Sequence, residues 1–324
     1  MTGIDRYFSF GVREEWLETY CIDLKPRTRD DYERRMTQYI RPALGTVQLS
    51  ALNNIQIQKF LNGLRGQHGQ ALAPKTIKNT HGILHSCLRQ AVLSGLLSSN
   101  PADNIRLPSI TKADLRPLMD DDLSKFMKAC QTHPLGNLFI VDLFTGLRQS
   151  ELLGLQWRDI DFDSGTIHVS RQLQRDRNTN EFIFLTTKNG KDRYVPFSSS
   201  IGTILKEIRR NQSVNQLAAG ELWQNRDGLV FTNSMGGHLT HSHVQNSFRA
   251  LVRSIGLEGT RFHDLRHSAA TLALSSGCSV KAVQEMLGHY SSAFTMDVYA
   301  DVSRKMQIDT QNRLEEAFRA ASAG

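Results

Sequence analysis

Cysteine is scarce in this sequence, and the few cysteines are scattered. The chain has 324 residues and four cysteines, none of which forms a Cys-x-x-Cys pair. A zinc site needs closely spaced thiols and a secreted disulfide framework needs several pairs, so neither is expected. We expect free, buried thiols in a reducing compartment instead. The four residues are Cys21, Cys87, Cys130 and Cys278.

Long apolar runs, internal repeats and low-complexity tracts are also missing. No stretch of the sequence approaches the roughly 20 apolar residues that cross a bilayer. The first residues lack the pattern of a secretory signal. We therefore expect an intracellular, cytoplasmic protein without a membrane partner.

Charge is present in excess and is unevenly distributed. The formal net charge is +7, with 40% hydrophobic residues, which is enough for ordinary buried cores. Residues 1–107 contain 14 Lys and Arg against 9 Asp and Glu, whereas the remainder contains 25 against 23. This balance favours a polyanionic partner and makes the first third of the chain the more attractive surface for it.

A boundary is predicted between Ser98 and Pro117. Residues 98–101, Ser-Ser-Asn-Pro, should end a helix, and Pro108 and Pro117 should keep the following chain extended. The predicted organisation is a helical domain over 1–107, a linker over 108–117 and a second domain over 118–324.

The two parts differ in their predicted secondary structure. The first is a small helical bundle, and the second is mostly helical with a small antiparallel β-sheet on one side, which makes the chain mainly α with some β (α+β). Lys188 is followed by Asn189-Gly190, a sequence typical of a tight β-hairpin. The predicted helices are Val12–Cys21, Thr28–Ile40, Asn54–Arg65, Pro74–Leu97, Asp120–Cys130 and Leu138–Phe144, and the predicted strands are Thr166–Val169, Phe182–Thr187 and Arg193–Pro196, with further helix from Ile201 onward.

The first segment that suggests chemistry is Thr-Gly-Leu-Arg-Gln-Ser-Glu-Leu-Leu-Gly-Leu at 145–155. Arg148 opens an apolar helical stretch, and Glu151 lies on the same helix face three residues later. Taken alone, the segment is more often explained by a surface Arg–Glu pair near a helix N-terminus.

The second segment is His-Asp-Leu-Arg-His at 263–267. Helical spacing puts His263, Arg266 and His267 on one face, where basic groups could hold a phosphate, with apolar residues such as Leu265 and Ala269 opposite. His263 and His267 also have the i, i+4 spacing of a helical zinc pair, but the glutamate of the metalloprotease motif is absent.

The third segment is Leu-Gly-His at 287–289, followed ten residues later by Tyr299. Gly288 has the character of a helix C-cap, which would place His289 just beyond the helix end. Tyr299 alone is equally well explained as an amphipathic tyrosine that packs its ring and leaves its hydroxyl in water.

Together and in this order, the segments resemble the signature of the tyrosine recombinase (phage integrase) family. TGLRQSELLGL resembles its first arginine box, HDLRH its His-x-x-Arg box, TKNGKDRYVP its catalytic-lysine hairpin, and LGH with the later tyrosine its closing segment. The N-terminal helices resemble the SAM-like core-binding domain of the family. The positions that match are Arg148, Lys188, His263, Arg266, His289 and Tyr299, and none is substituted.

The resemblance implies a site-specific recombinase that cuts and rejoins duplex DNA. Arg148 and Arg266 would offer forked donors to the non-bridging phosphate oxygens, with hydrogen bonds from His263 and His289. Glu151 is expected to hold His263 or Arg266 in place.

The resemblance also implies roles for Tyr299, His263 and Lys188 in the proton transfers of cleavage. Tyr299 would attack phosphorus to give a 3′-phosphotyrosyl intermediate, and His263 would help remove its proton. Lys188 would protonate the departing 5′ oxygen. The bond energy is retained, so neither ATP, a metal nor another cofactor is expected.

The expected partner is double-stranded DNA, with the two domains of one chain forming a C-shaped clamp around the duplex. A homotetramer is expected on paired core sites of a phage or mobile element in a bacterial host. Only about ten residues precede the first predicted helix, which leaves two alternatives: a member that recombines simple core sites, or one from which an arm-binding domain was removed. A C-terminal helix over Met306–Ala321 would dock either on a neighbouring protomer or on its own domain. Two other classes compete with this interpretation: a type IB topoisomerase, and a DNA-binding accessory protein that does not cut.

Overall fold

The structure is a computed structural model that describes residues 13–66, 68–110, 117–176, 179–187 and 190–288, with Gln311, Glu315, Phe318 and Arg319 from the tail. It divides into two compact units, Met1–Ala113 and Asp114–Gly324. Within the described ranges, no helix is long and apolar enough to cross a membrane.

The first unit is helical, as its sequence predicts. Pro74 stands in the first turn of α5, where its missing N–H costs no hydrogen bond. The helix ends at Leu93, four residues before the predicted end, and Gly95 follows with a φ of +72°. The elements are α1 (Arg13–Thr19), α2 (Pro26–Arg35), a π-helical turn (Met36–Ile40), α3 (Arg41–Leu44), α4 (Asn54–Gly63) and α5 (Pro74–Leu93).

The core of this unit lies between α5 and the π-helical turn. Met36, Ile40, Leu84 and Leu88 are completely buried there. Their spacing of four residues on each helix is what places them on one face. This core leaves the Lys and Arg side chains of α2 and α5 mostly on the outer surface.

The second unit combines seven helices in its described part with five short strands. The helices are α6 (Asp120–Cys130), α7 (Gly136–Thr145), α8 (Gln149–Leu153), α9 (Ser199–Ala219), α10 (His241–Ser254), α11 (Asp264–Ser275) and α12 (Val280–Leu287). The strands are β1 (Ile160–Asp161), β2 (Thr166–Val169), β3 (Arg171–Arg175), β4 (Phe182–Thr186) and β5 (Arg193–Pro196). The mainly α fold class with small antiparallel sheets is confirmed.

Four phenylalanines form the centre of the second core. Phe139 of α7 meets Phe248 of α10 edge to face at 5.3 Å, and Phe126 and Phe262 surround this pair. Such edge-to-face contacts stabilise beyond the area they bury, by about 0.5–1.5 kcal/mol per pair. The cluster fixes α7 and α10, and the Phe262 ring anchors the chain that enters α11.

The predicted hairpin at Asn189-Gly190 is wrong. β4 pairs with β3, so that Thr186 lies opposite Arg171, while β5 pairs with β2, so that Arg193 lies opposite Val169. The strands on the two sides of the Asn-Gly sequence therefore belong to different sheets. The described residues on the two sides of positions 188–189 are in contact, because the Gly190 N–H donates to the Thr187 carbonyl at 3.0 Å.

Burial explains why the pairing differs from the prediction. Ile167 of β2 lies directly opposite Val195 of β5, and both side chains are completely buried. A tight hairpin between β4 and β5 would break this pair, and the hydrophobic face decides register where one face is buried. The segment that contains Lys188 is thus anchored at its two ends by different sheets.

Two other predictions need correction or limits. Cys21, Cys87 and Cys130 are free and buried as expected, but Cys278 is exposed. The predicted C-terminal helix falls mostly outside the described residues. Of its described members, Phe318 is exposed, and Arg319 pairs with Glu315 at 3.0 Å.

Candidate active site

The site begins where α7 ends. Gly146 caps the helix in the left-handed conformation, with φ +61°, and its N–H donates to the Asp142 carbonyl at 2.8 Å. A Cβ at Gly146 would come within 2.5 Å of Leu287 Cδ2 and 3.2 Å of Ala269 Cβ. Glycine therefore satisfies two requirements here, the backbone conformation and the close approach of α11 and α12.

Arg148 and Glu151 then form the N-terminus of α8. The Glu151 carboxylate accepts the Arg148 backbone N–H at 2.9 Å and its Nη1 at 2.8 Å. Glu151 is only 2% exposed, so this is not the surface ion pair that the segment suggests by itself. A buried carboxylate needs such donors, because an unpaired buried charge is very costly.

Arg193 is the second partner of this carboxylate and was not anticipated from the sequence. Its Nη1 and Nη2 donate to the two Glu151 oxygens at 3.1 and 2.6 Å. Its Nε donates to the Met286 carbonyl at 2.9 Å. From the sequence, Glu151 is expected to hold His263 or Arg266 in place. This expectation is wrong, because the hydrogen bonds of the Glu151 carboxylate go to Arg148 and Arg193.

The two arginines determine the charge of Glu151. Burial alone would raise the pKa of this carboxyl, but the hydrogen bonds and charge of Arg193, and then those of Arg148, outweigh burial and lower its pKa to about 2. Glu151 is therefore ionised at neutral pH, and one negative charge faces two guanidinium groups.

Arg266 is buried rather than displayed on a basic helix face. It is 2% exposed, and α11 is buried around most of its circumference, so the expected division into basic and apolar faces is not found. Its Nη1 donates to the Gly146 carbonyl and its Nη2 to the Leu287 carbonyl. Burial and the charge of Arg148 lower the pKa of Arg266 below its usual value.

Three arginine side chains donate hydrogen bonds to carbonyl oxygens at the end of α12. Gly288 caps this helix at φ +63°, which confirms the predicted C-cap. The last carbonyls of a helix lack partners within the helix and carry partial negative charge, so cations bind well there. Arg193 donates to the carbonyl of Met286, Arg266 to that of Leu287, and Arg148 to that of Gly288 at 2.8 Å.

Asp142 is a buried carboxyl that interacts electrostatically with Arg266 and Glu151. It is 1% exposed, and its Oδ1 finds no hydrogen-bond partner among the described residues. Burial raises the pKa of Asp142 well above its ordinary value, although Arg266 opposes the shift. The hydrogen bonds of the cluster pair two guanidinium groups, those of Arg148 and Arg193, with the single carboxylate of Glu151, whereas Arg266 bonds to carbonyl oxygens.

His263 and His267 stand beside Arg266 at the start of α11. Their rings meet edge to face at 4.8 Å, and the His263 side chain is exposed. Crowding by neighbouring protein atoms and the charge of Arg266 lower the pKa of His263. Crowding and His263 lower the pKa of His267 to about 4. Both imidazoles are thus neutral at pH 7.

The other predicted residues, Lys188, His289 and Tyr299, lie outside the described residues. The structure describes the chain on both sides of Lys188, and it describes Gly288 directly before His289. Across the ranges that are described, no three His, Cys, Asp or Glu side chains are grouped so that they could hold a metal ion. The described site is a cluster of three guanidinium groups at the end of α12, beside the neutral imidazole of His263.

Comparison with known proteins identifies the family of the chain. The profile of the phage integrase family matches residues 116–306, and that of the phage integrase N-terminal SAM-like domain matches residues 11–65. The chain belongs to the phage integrase family of tyrosine recombinases. It is a DNA-breaking and rejoining enzyme for site-specific recombination, and the stretch matched by the catalytic profile contains all six signature positions.

Curated relatives and solved structures agree with this family. The recombinase is 31% identical over 322 residues to a tyrosine recombinase XerC-like protein of Caldanaerobacter subterraneus subsp. tengcongensis, covering 94% of this chain and 81% of the relative. The Tn1549 transposon integrase in complex with circular intermediate DNA superposes with a TM-score of 0.78 at 21% identity, over 93% of this chain and all of that one. A lambda integrase tetramer bound to a Holliday junction superposes with a TM-score of 0.65 at 20% identity, over 90% and 77% of the two chains.

Proposed function

We propose that this recombinase cuts a DNA strand by attack of the Tyr299 hydroxyl on a phosphodiester held by Arg148 and Arg266. The observation that carries the proposal is the cluster at the end of α12. It holds both guanidinium groups at adjacent carbonyls, Gly288 and Leu287, in a setting with excess positive charge. Negative charge grows on the non-bridging oxygens during attack, so preorganised donors of this kind stabilise the transition state more than the ground state.

The neutral state of His263 fits a proton acceptor. A free tyrosine has a pKa near 10, so at neutral pH its hydroxyl must lose a proton as it attacks. An exposed imidazole with a lowered pKa is unprotonated and ready to accept that proton. His289, which follows the carbonyl bound by Arg148, completes the set of donors in this proposal.

The cleavage step balances without a cofactor. The bond from the Tyr299 oxygen to phosphorus forms, and the bond from phosphorus to the 5′ oxygen breaks. The tyrosine proton passes to His263, and Lys188 gives a proton to the departing 5′ oxygen. A 5′ hydroxyl from the partner strand then attacks the 3′-phosphotyrosyl bond by the same steps in reverse, which rejoins DNA and frees Tyr299.

Both units would bind duplex DNA. In the first unit the exposed cations suit backbone phosphates, which fix the position of the duplex without reading its sequence. Strand exchange requires four active sites on two duplexes, so we propose a homotetramer on paired core sites. Within residues 25–41 and 75–89 the exposed cations are Lys25, Arg27, Arg29, Arg34, Arg41, Lys75 and Arg89.

One incubation tests this function against its two rivals. The core site is first recovered from the DNA junctions that flank the gene, and a supercoiled plasmid with two copies is compared with one that has none. A recombinase gives deletion or inversion products from the two-site plasmid alone. A type IB topoisomerase would relax both plasmids, and an accessory protein would leave both intact.

A further inference from the structure

Arg193 has more contacts with the site than its place at the start of a strand requires. Its side chain is 10% exposed and makes three hydrogen bonds, two to the Glu151 carboxylate and one to the Met286 carbonyl. The Glu151 contact is the two-point contact that a planar guanidinium makes and a lysine cannot. Nothing in the cleavage steps above uses this residue.

Arg193 shares the Glu151 carboxylate with Arg148, so its contacts affect which Arg148 donors are used. Among the described contacts, the Arg148 side chain reaches the shared carboxylate through Nη1 alone, and its Nη2 donates to the Gly288 carbonyl. Its Nε and the second hydrogen of each Nη therefore remain for a phosphate. If Arg193 were absent, Glu151 would be neutralised by Arg148 alone, and the carboxylate would draw that guanidinium into the two-point contact.

Arg193 also joins separate parts of the site. It is the first residue of β5, so it fixes one end of the segment that contains Lys188. At its other side it packs against the cap of α12, where a Cβ at Gly288 would come within 2.9 Å of Arg193 Cδ. The same residue thus links the strand, the α8 carboxylate and the turn that leads to His289.

We propose that Arg193 is a positioning residue that shares the charge of Glu151 and thereby keeps the Arg148 guanidinium free and directed to the scissile phosphate. The inference rests on the proposed function, because it assigns Arg148 to the phosphate. Arg193 itself does not touch the DNA phosphate in this account.

The test is a double-mutant cycle on core-site DNA. Single-turnover formation of the covalent protein–DNA complex is measured for the wild type, Arg193→Ala, Glu151→Gln and the double variant, with the DNA dissociation constant beside each rate. Arg193→Ala should be slower by roughly 10²-fold, the scale of a small misplacement in an active site. DNA affinity should stay within about threefold of the wild type, since binding depends on many phosphate contacts.

The cycle separates positioning from general damage to the fold. If Arg193 acts by sharing the Glu151 charge, the double variant is no slower than Arg193→Ala, because the neutral amide introduced by Glu151→Gln no longer draws Arg148 away. Arg193→Lys keeps a charge at the position but should stay within about tenfold of Arg193→Ala, since it cannot make the forked contact.

Arg171→Ala is the matched control. Arg171 also extends from a strand of this unit to a buried carboxylate, that of Asp159, but the described contacts give it no bond to the end of α12. Its loss should lower the unfolding midpoint as Arg193→Ala does and leave the cleavage rate within about threefold of the wild type.

The inference is overturned if Arg193→Ala cleaves as fast as Arg171→Ala, or if the two rate losses multiply in the double variant. Failure of the proposed function looks different. In that case the wild type itself forms no covalent complex on its core site, and the inference about Arg193 falls with it.

Discussion

Arg148 and Arg266 donate to neighbouring carbonyl oxygens, those of Gly288 and Leu287. Each arginine comes from a different helix end, yet the same turn fixes both. In the proposed mechanism, this common turn brings two residues from distant parts of the sequence to one phosphate. The turn before His289 and the two guanidinium groups are therefore joined by hydrogen bonds, and we expect movement of one of them to displace the others.

The roles of Arg266 and Lys188 should be distinguishable by changing the leaving group of the DNA substrate. Arg266→Ala should slow cleavage by roughly 10²–10³ or more, the scale for loss of one donor to a developing oxyanion. Arg266→Lys should restore little of this. Lys188→Ala should be slow on a normal phosphodiester, because the 5′ oxygen then lacks its proton donor.

A 5′-bridging phosphorothiolate distinguishes the two defects, because its sulfur leaves without a proton. The Lys188→Ala variant should recover on this substrate, and the Arg266→Ala variant should stay slow. Equal recovery of both would remove Lys188 as the acid, and Lys191 in the same segment would be tested next.

Glu151 should contribute stability that depends on pH. Its folded pKa of about 2 lies below the ordinary value of 4.5, so the contribution is complete above pH 4.5 and is lost as pH falls through about 2. At neutral pH it should be on the order of 3 kcal/mol. The free energies of unfolding in urea of the wild type and of Glu151→Gln should therefore differ most above about pH 5, differ less at about pH 3 and converge toward about pH 2.

Glu207→Gln is the control for this experiment, because Glu207 is an exposed residue of α9 that takes no part in the arginine cluster. Its difference from the wild type should be small at every pH. A Glu151→Gln difference that stayed constant from about pH 6 to about pH 3 would mean that the arginines do not lower the pKa of Glu151.

His263 should set the acid side of the cleavage profile. Only the neutral imidazole can accept the tyrosine proton, and crowding by neighbouring protein atoms and the charge of Arg266 lower the pKa of His263. The cleavage rate should therefore fall with decreasing pH around a midpoint below 6.5, the ordinary value. His263→Gln should abolish this dependence and lower the plateau rate by roughly 10²–10⁴.

His267→Gln provides the comparison, because His267 lies against the same ring but has its pKa near 4. That variant should keep the acid dependence of the wild type. If the dependence disappears with His267 and persists without His263, the two histidines have been assigned the wrong way round.

The sequence predicts local features of the site well. The i, i+3 spacing places Glu151 against Arg148, and the glycine after an amphipathic helix predicts the cap at Gly288. Both depend on contacts within one turn of helix, and propensity and spacing determine those contacts. The fold class follows from the same periodicity.

The nonlocal contacts could not be predicted in this way. Arg193 lies 42 positions from Glu151, and the burial of Arg266 goes against the usual exposure of arginine. One signal was available for Arg193. It lies two residues before Val195, which is completely buried, so strand alternation turns both side chains inward, and an inward arginine requires a partner.

The most direct test of the central claim is the identity of the residue that becomes linked to DNA. The wild type is trapped on a nicked core site that loses its 5′ hydroxyl strand, the DNA is digested, and the modified peptide is sequenced by mass spectrometry. The account predicts a nucleotide attached through phosphate to Tyr299 and no adduct in the Tyr299→Phe variant. An adduct on Tyr290, or one that survives Tyr299→Phe, would contradict it.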